Sequence, residues 1–190
     1  MKRLHNYWES RGRNYIVAGS NATQDAINNS VEFESLKQLQ PFDSLIEIGC
    51  AYGKSLKAIR HHFSGIRLVG VDVSSSMIEK AKENLKDDNV ELYCQDVCNL
   101  SFSDKEFDIG CTFALLMHVP PDEIELAIKD IMRVCKIGRF VETSGNFTDG
   151  GTYQFSHNYS ELFNKLVFSC SETILSNERY KTVIYNVGLS

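Results

Sequence analysis

The sequence predicts an α/β fold with a doubly wound, mostly parallel seven-stranded sheet and helices on both faces. Three observations predict it. Short apolar runs alternate with helix-period segments, several of those runs end in glycine or acidic residues, and the last two runs follow one another with only a turn between them. The alternation implies parallel strands, and the final pair implies an antiparallel C-terminal hairpin.

The elements follow in order. A first run, Ser44 to Ile48, passes through Gly49 to Gly53 into a helix reaching about Phe63. The next run, Arg67 to Val71, leads into a helix from Ser74 to Lys86, where alternating Glu79, Lys80, Lys82 and Glu83 mark a solvated face. Val90 to Cys94 is the third strand, followed by an irregular stretch from Val97 to Lys105. Phe107 to Thr112 is the fourth, and the helix after it is opened by Pro120 and Pro121 and runs to Cys135. The fifth strand spans Arg139 to Thr143, and the long loop from Ser144 to His157 is a candidate functional segment. A helix from Tyr159 to Val167 precedes the hairpin strands Cys170 to Leu175 and Tyr180 to Val187. Residues 1–40 form a helical N-terminal cap on a core of residues 41–190, all within one domain.

Composition narrows the functional classes. With 43% hydrophobic and 24% charged residues and three prolines, the 190-residue chain has the make-up of a globular domain. No apolar run reaches the length needed to cross a bilayer and the N-terminus lacks a secretory pattern, so a cytoplasmic protein without membrane contact is expected. A net charge of -5 with scattered Lys and Arg disfavours a nucleic-acid partner. The six cysteines read as reduced, mostly buried thiols. Cys94 and Cys98 lack the companions that a tetrahedral metal site requires, so no metal is expected.

Ligands of open α/β sheets bind outside the carboxyl ends of the strands, near the point where strand order reverses. At the first such end stands Leu45-Ile46-Glu47-Ile48-Gly49-Cys50-Ala51-Tyr52-Gly53, where the glycines permit a tight turn and close backbone approach. Asp72 ends the second strand, 23 residues beyond Gly49, the spacing of a carboxylate that accepts hydrogen bonds from ribose hydroxyls. Gln95-Asp96-Val97 ends the third, where a carboxylate can accept from an exocyclic adenine amine. Three successive strand ends thus suggest a nucleoside-containing cofactor.

Over residues 44–143 these motifs resemble, in order and spacing, the class I S-adenosylmethionine-dependent methyltransferases, which have a Rossmann-like fold. LIEIGCAYG is similar to the family's first motif, VGVDVSSSMIEKAKENL to its second-strand motif, and CQDVCNLSFSDKEFDIG to its adenine-contacting stretch. FALLMHVPPDEIELAIKDIMRV resembles the segment after the fourth strand. The resemblance implies S-adenosyl-L-methionine as cofactor. Glu47, Gly49, Cys50, Ala51 and Gly53 would surround its methionine part, Asp72 and Val73 its ribose, and Met77, Gln95, Asp96 and Val97 its adenine, with Phe113 and His118 near the reacting centre. Two positions depart from the family pattern: Ala51 replaces a glycine, and Lys136-Ile137-Gly138-Arg139 replaces a Lys-Pro-Gly-Gly turn. The N-terminal stretch from Tyr7 to Tyr15 resembles the lid of small-molecule and polysaccharide-modifying members. Tyr7, Trp8, Arg11 and Tyr15 would then close over the cofactor; the competing reading is a plain amphipathic cap.

These readings imply methyl transfer to an oxygen, secondarily a nitrogen, of a small molecule or sugar. His157 is the first candidate base and His118 the second, with Glu142, Tyr153 and Tyr159 as acceptor-binding residues. For His157 the competing reading is a cap on the helix that follows it. A nicotinamide-dependent dehydrogenase is the rival from another class, yet the glycine spacing is not GxGxxG and no Tyr-x-x-x-Lys pair occurs. A non-catalytic methyltransferase-like partner protein is the other alternative.

Overall fold

The computed structural model describes residues 2–14, 36–144, 153–166, 168–174 and 181–189. Its seven strands are ordered β3-β2-β1-β4-β5-β7-β6 in one sheet. The chain divides into two compact units, residues 1–96 and 97–190.

The first unit contains α1 (Lys2–Asn14), β1 (Ser44–Ile48), α2 (Lys54–His62), β2 (Arg67–Asp72), α3 (Ser75–Asn84) and β3 (Glu91–Cys94). β2 pairs in parallel with β1 on one side and β3 on the other. Leu45, Ile46 and Ile48 of β1 and Leu68, Val69 and Val71 of β2 are all buried, which is why these strands read as continuous apolar runs. Helix α2 lays Leu56, Ala58 and Ile59 into this core, and α3 adds Met77, Ile78 and Ala81. The chain leaving α2 is gathered by Arg60, whose guanidinium donates to the carbonyls of Phe63, Ser64, Ile66 and Asn89 at 3.0–3.2 Å. The expected start of α3 shifts by one residue because Ser74 is its cap: the Ser74 hydroxyl accepts from the Met77 amide at 3.2 Å.

The second unit contains β4 (Phe107–Phe113), a 3₁₀ turn (Leu116–His118), α4 (Ile124–Val134), β5 (Cys135–Ser144), α5 (Tyr159–Lys165), β6 (Phe168–Ile174) and β7 (Lys181–Leu189). β4 and β5 are parallel, whereas β7 runs antiparallel to both β5 and β6, as the terminal hairpin implies. The buried face of α4, with Ala127, Ile128, Ile131 and Val134, and a ring cluster of Phe140, Phe163, Tyr185 and Tyr159 form the core. Neighbouring rings in that cluster lie 5.0–5.8 Å apart in tilted or edge contacts.

Two expectations need correction. β5 begins at Cys135, four residues before the expected Arg139, so the presumed turn Lys136–Arg139 lies within the strand. Without the proline of the family turn, every amide there can join the ladder, and Cys135 already pairs with Phe107. Lys105 secures the junction: its ammonium donates to the carbonyls of Met132 and Cys135 at 2.8 Å each. Cys94, expected among buried thiols, is exposed because β3 is an edge strand.

Gly70 sits in the middle of β2, where a Cβ would lie 2.5 Å from Leu56 Cδ1, 2.9 Å from Leu92 Cδ2 and 3.0 Å from Cys50 Sγ. Gly70→Ala is therefore expected to destabilise the fold by roughly 1–3 kcal/mol in urea unfolding. Gly65→Ala, where a Cβ meets nothing within 4 Å, is the control and should change stability by less than about 0.5 kcal/mol.

Candidate cofactor and acceptor sites

In the first unit the β1 turn is built from left-handed residues: Gly49 at φ 78°, Ala51 at φ 48° and Gly53 at φ 79°. Glycine carries this conformation freely, but an alanine pays roughly 1–2 kcal/mol for it. Ala51 persists because its amide is held, donating to Asp72 Oδ2 at 2.9 Å. The other oxygen, Oδ1, accepts from the Ser74 amide at 2.9 Å. One carboxylate thus joins the β1 turn to the start of α3. Two backbone carbonyls of β2 add to this: that of Val71 accepts from the amides of Gly49 and Cys50 at 2.8 and 2.9 Å, and that of Asp72 accepts from Gln95 at 3.0 Å. A carboxylate has about four acceptor directions, so Asp72 keeps capacity for further donors such as vicinal hydroxyls.

Glu47, in the strand that feeds the same turn, is 2% exposed, and its Oε2 has no hydrogen-bond partner among the described residues. Burial pushes its carboxyl up to about 8; the hydroxyl of Ser55 opposes this and the nearby Asp72 charge adds to it. At neutral pH Glu47 is therefore mostly a neutral acid. Burial also raises Asp72, against the two amides that favour its ionised form. Cys50 and Met77 are buried, while Val73, Asp96 and Val97 are half-buried where the second and third strands end.

Helix α1 contributes a residue that sequence reading missed. Glu9 accepts from the hydroxyls of Ser74 (3.1 Å), Ser75 (3.3 Å) and Ser76, and from the Ser76 amide at 3.2 Å. These donors, the Ser76 hydroxyl foremost, lower Glu9 to about 2. The contact needs close approach, and Gly12 provides it: a Cβ there would stand 2.5 Å from Ser74 Oγ. Only the Ser-Ser-Ser run hinted at a carboxylate partner, and nothing local identified Glu9. Of the expected lid residues, Tyr7 and Trp8 stack edge to face at 4.9 Å, and the Arg11 guanidinium lies 5.9 and 6.0 Å from their rings. Tyr15 lies outside the described residues.

In the second unit, half-buried Phe113 ends β4 and is followed by left-handed Ala114, φ 53°. The turn beyond is stitched to residues 153–157 by three contacts. His118 Nδ1 lies 3.0 Å from the Tyr153 carbonyl, the Phe155 amide donates to the Met117 carbonyl at 2.7 Å, and His157 Nε2 lies 2.9 Å from the Val119 carbonyl. The helix cap belongs to Asn158, whose side chain accepts from the Glu161 amide, so His157 is not needed for that task. Burial lowers the His157 pKa below its usual 6.5, against two carbonyls, of Val119 and Leu116, that raise it. Its ring is thus neutral near pH 7, with Nε2 as the nitrogen facing a carbonyl.

Tyr153 is half-buried and left-handed at φ 50°. Tyr159 is 1% exposed, and its hydroxyl has no hydrogen-bond partner among the described residues. Glu142, expected at the acceptor, is 0% exposed with both oxygens engaged by Thr112, Leu115 and Leu116. That geometry gives Glu142 a supporting position beneath the turn rather than a surface on which an acceptor could rest.

The raised pKa of Glu47 sets a pH dependence. Between about pH 4.5 and 8 the unfolded chain ionises this carboxyl while the folded chain keeps its proton, so the Glu47 contribution to stability falls as pH rises. Glu47→Gln removes this loss. The stability difference between Glu47→Gln and the parent, measured by urea unfolding at several pH values, should move in the variant's favour from pH 5 to pH 8; a constant difference would refute the assignment.

The model of a methyltransferase domain family matches residues 45–138. A 24-methylenesterol C-methyltransferase 2 from Arabidopsis thaliana is 27% identical over 107 residues, 54% of this chain and 29% of that protein. A malonyl-[acyl-carrier protein] O-methyltransferase from Priestia megaterium is 31% identical over 126 residues, 65% of this chain and 43% of that protein. The chain therefore spans less than half the length of these curated relatives. Magnesium protoporphyrin IX methyltransferase from Synechocystis PCC 6803, solved with bound SAM, shares the fold at a TM-score of 0.72 and 16% identity, covering 98% of this chain and 96% of that one. The family match, just under half of the chain, spans the left-handed turn, the Asp72 strand end and the β4–α4 segment, and together with the shared fold it indicates a class I S-adenosylmethionine-dependent methyltransferase.

Proposed function

We propose that the chain transfers the methyl group of S-adenosylmethionine to an oxygen, and secondarily a nitrogen, of a small molecule or sugar. The observation that carries this reading is the Asp72 carboxylate, held by the amides of Ala51 and Ser74 with acceptor capacity left over for a ribose. The protein groups fit the cofactor in other respects. Gly49 and Gly53 carry the left-handed backbone of the β1 turn freely, and Glu47 Oε2 is a buried polar atom without a hydrogen-bond partner among the described residues. Asp96 is the proposed acceptor for the adenine amine, with Met77, Gln95 and Val97 framing the adenine, Phe113 near the reacting centre, and Tyr7, Trp8, Arg11 and Tyr15 as the lid.

When bound, S-adenosylmethionine supplies a methyl group made electrophilic by its sulfonium. The chain's own task is to align an acceptor for in-line displacement, and good positioning lowers such barriers by roughly 7–11 kcal/mol. In the segment from Tyr153 to Tyr159 half-buried Tyr153 is the proposed acceptor-binding residue, whereas Tyr159, expected beside it, is a core residue that supports the segment from beneath. His157 is proposed as the base that takes the acceptor's hydroxyl proton: burial keeps its ring neutral, and a backbone carbonyl orients it. His118 is the second candidate. The O-methyltransferase named among the relatives supports oxygen as the acceptor atom.

Calorimetric titration with S-adenosylmethionine tests the cofactor assignment. Asp72→Ala should weaken binding at least tenfold, since hydrogen bonds to a charged group contribute roughly 1.5–3 kcal/mol each. Equal affinities, with circular dichroism unchanged, would overturn the role of Asp72. Turnover with a panel of hydroxylated acceptors tests His157. His157→Gln retains a donor for the Val119 carbonyl and should still lose about 10²-fold in kcat, with cofactor affinity within twofold of the parent. Undiminished turnover would transfer the role to another group.

A further inference from the structure

Glu142 is a fully buried carboxylate whose partners all belong to one turn or to the strand that feeds it. Oε1 accepts from the Thr112 hydroxyl at 2.6 Å and the Leu115 amide at 3.3 Å, and Oε2 accepts from the Leu116 amide at 2.9 Å. Those amides open the turn whose other side carries the contacts of His118, Met117 and Val119 to residues 153–157. A single carboxylate at the base is therefore two contacts away from His157. The ionised form accepts from all three donors without bringing a hydrogen of its own. A carboxyl or an amide in its place puts a donor hydrogen beside the Leu115 and Leu116 amides, which can only donate, and the Thr112 hydroxyl can accept it only by giving up its own donation.

We propose that Glu142 is a positioning residue whose carboxylate holds the Leu115–His118 turn, and through it the Tyr153–His157 segment, so that both loosen when it takes up a proton. Its bearing on methyl transfer rests on the acceptor reading given above; the structural coupling does not. Burial pushes Glu142 up to about 7, against the hydroxyl and amides that lower it, which puts proton uptake near neutral pH. The titratable groups facing it are Tyr159 of α5 and Tyr185 of β7. Burial raises both phenols, Tyr185 to about 12, with the Glu142 charge adding to each, so neither ionises in this range. Two histidines are also near: His118, within the turn itself, and His157, whose ring lies 5.7 Å from that of Tyr159 and titrates below its usual 6.5.

The test is ¹H–¹⁵N NMR of the full chain between pH 5.5 and 8.5 with no ligand added. The Leu116 amide proton should shift upfield as pH falls, with a midpoint near 7. Across that midpoint, exchange of the Leu115, Leu116 and Phe155 amides, corrected for intrinsic rates, should quicken at least tenfold while the Ala51 and Ser74 amides keep their protection. Glu142→Gln should abolish the Leu116 titration and leave the three amides in fast exchange at every pH. Thr112→Val removes a donor that favours the carboxylate and should move the midpoint up by about one pH unit, which keeps the test intact if Glu142→Gln does not fold. A Leu116 signal that does not titrate, or that follows the ring resonances of His118 or His157 in Glu142→Gln or in Thr112→Val, would overturn the proposal. Failure of the parent chain to bind S-adenosylmethionine in calorimetry would instead remove the methyltransferase reading and leave the positioning role standing.

Discussion

The Asp72 carboxylate is the constraint on which the first unit's site depends. A turn with left-handed residues at Gly49, Ala51 and Gly53 turns its amides away from a strand ladder, and unpaired buried amides are costly. Asp72 satisfies one of them and, with its second oxygen, the Ser74 amide ahead of α3. The alanine at position 51 is tolerable for that reason: the strain of its backbone is offset by a hydrogen bond to a charged acceptor. Because β1 and β2 are paired from Ser44↔Arg67 to Ile48↔Val71, both strand ends arrive together and the bond forms without distortion.

The same device recurs with different electrostatics. Glu9 caps the three serines at the start of α3, Asp72 bridges two backbone amides, and Glu142 gathers the amides of a 3₁₀ turn. What separates them is how much solvent each has lost. Partly exposed Glu9 gains from its donors and falls to about 2, whereas Glu142 loses more by burial than its donors return and rises to about 7. Glu47, with an oxygen lacking a partner, rises further to about 8. One residue type thus acts as a permanent anion in one place and a neutral acid in another.

Much of this architecture was legible in the chain. The strand centres and the α/β alternation followed from apolar runs such as LIEI and RLVGV, whose burial on both faces leaves an unbroken hydrophobic signature. Boundaries were less legible where a side chain from elsewhere decided them. Lys105 holds the α4–β5 junction, so β5 starts at Cys135 instead of after a turn. The strand-end carboxylates were visible by spacing, but the contact of Glu9 with Ser74, 65 residues away, leaves no local mark.

The sequence by itself determined the order of elements, the glycine turn and the carboxylates at successive strand ends, because these depend on backbone conformation and on the periodicity of burial. Tertiary structure alone decided which polar atoms are already engaged. It gave the helix cap to Asn158 and a carbonyl to His157, and it moved Glu142 from the surface to the underside of a turn. Such assignments depend on which donors meet an acceptor once distant segments pack, and on how much water that packing removes, and neither quantity is written in residue spacing.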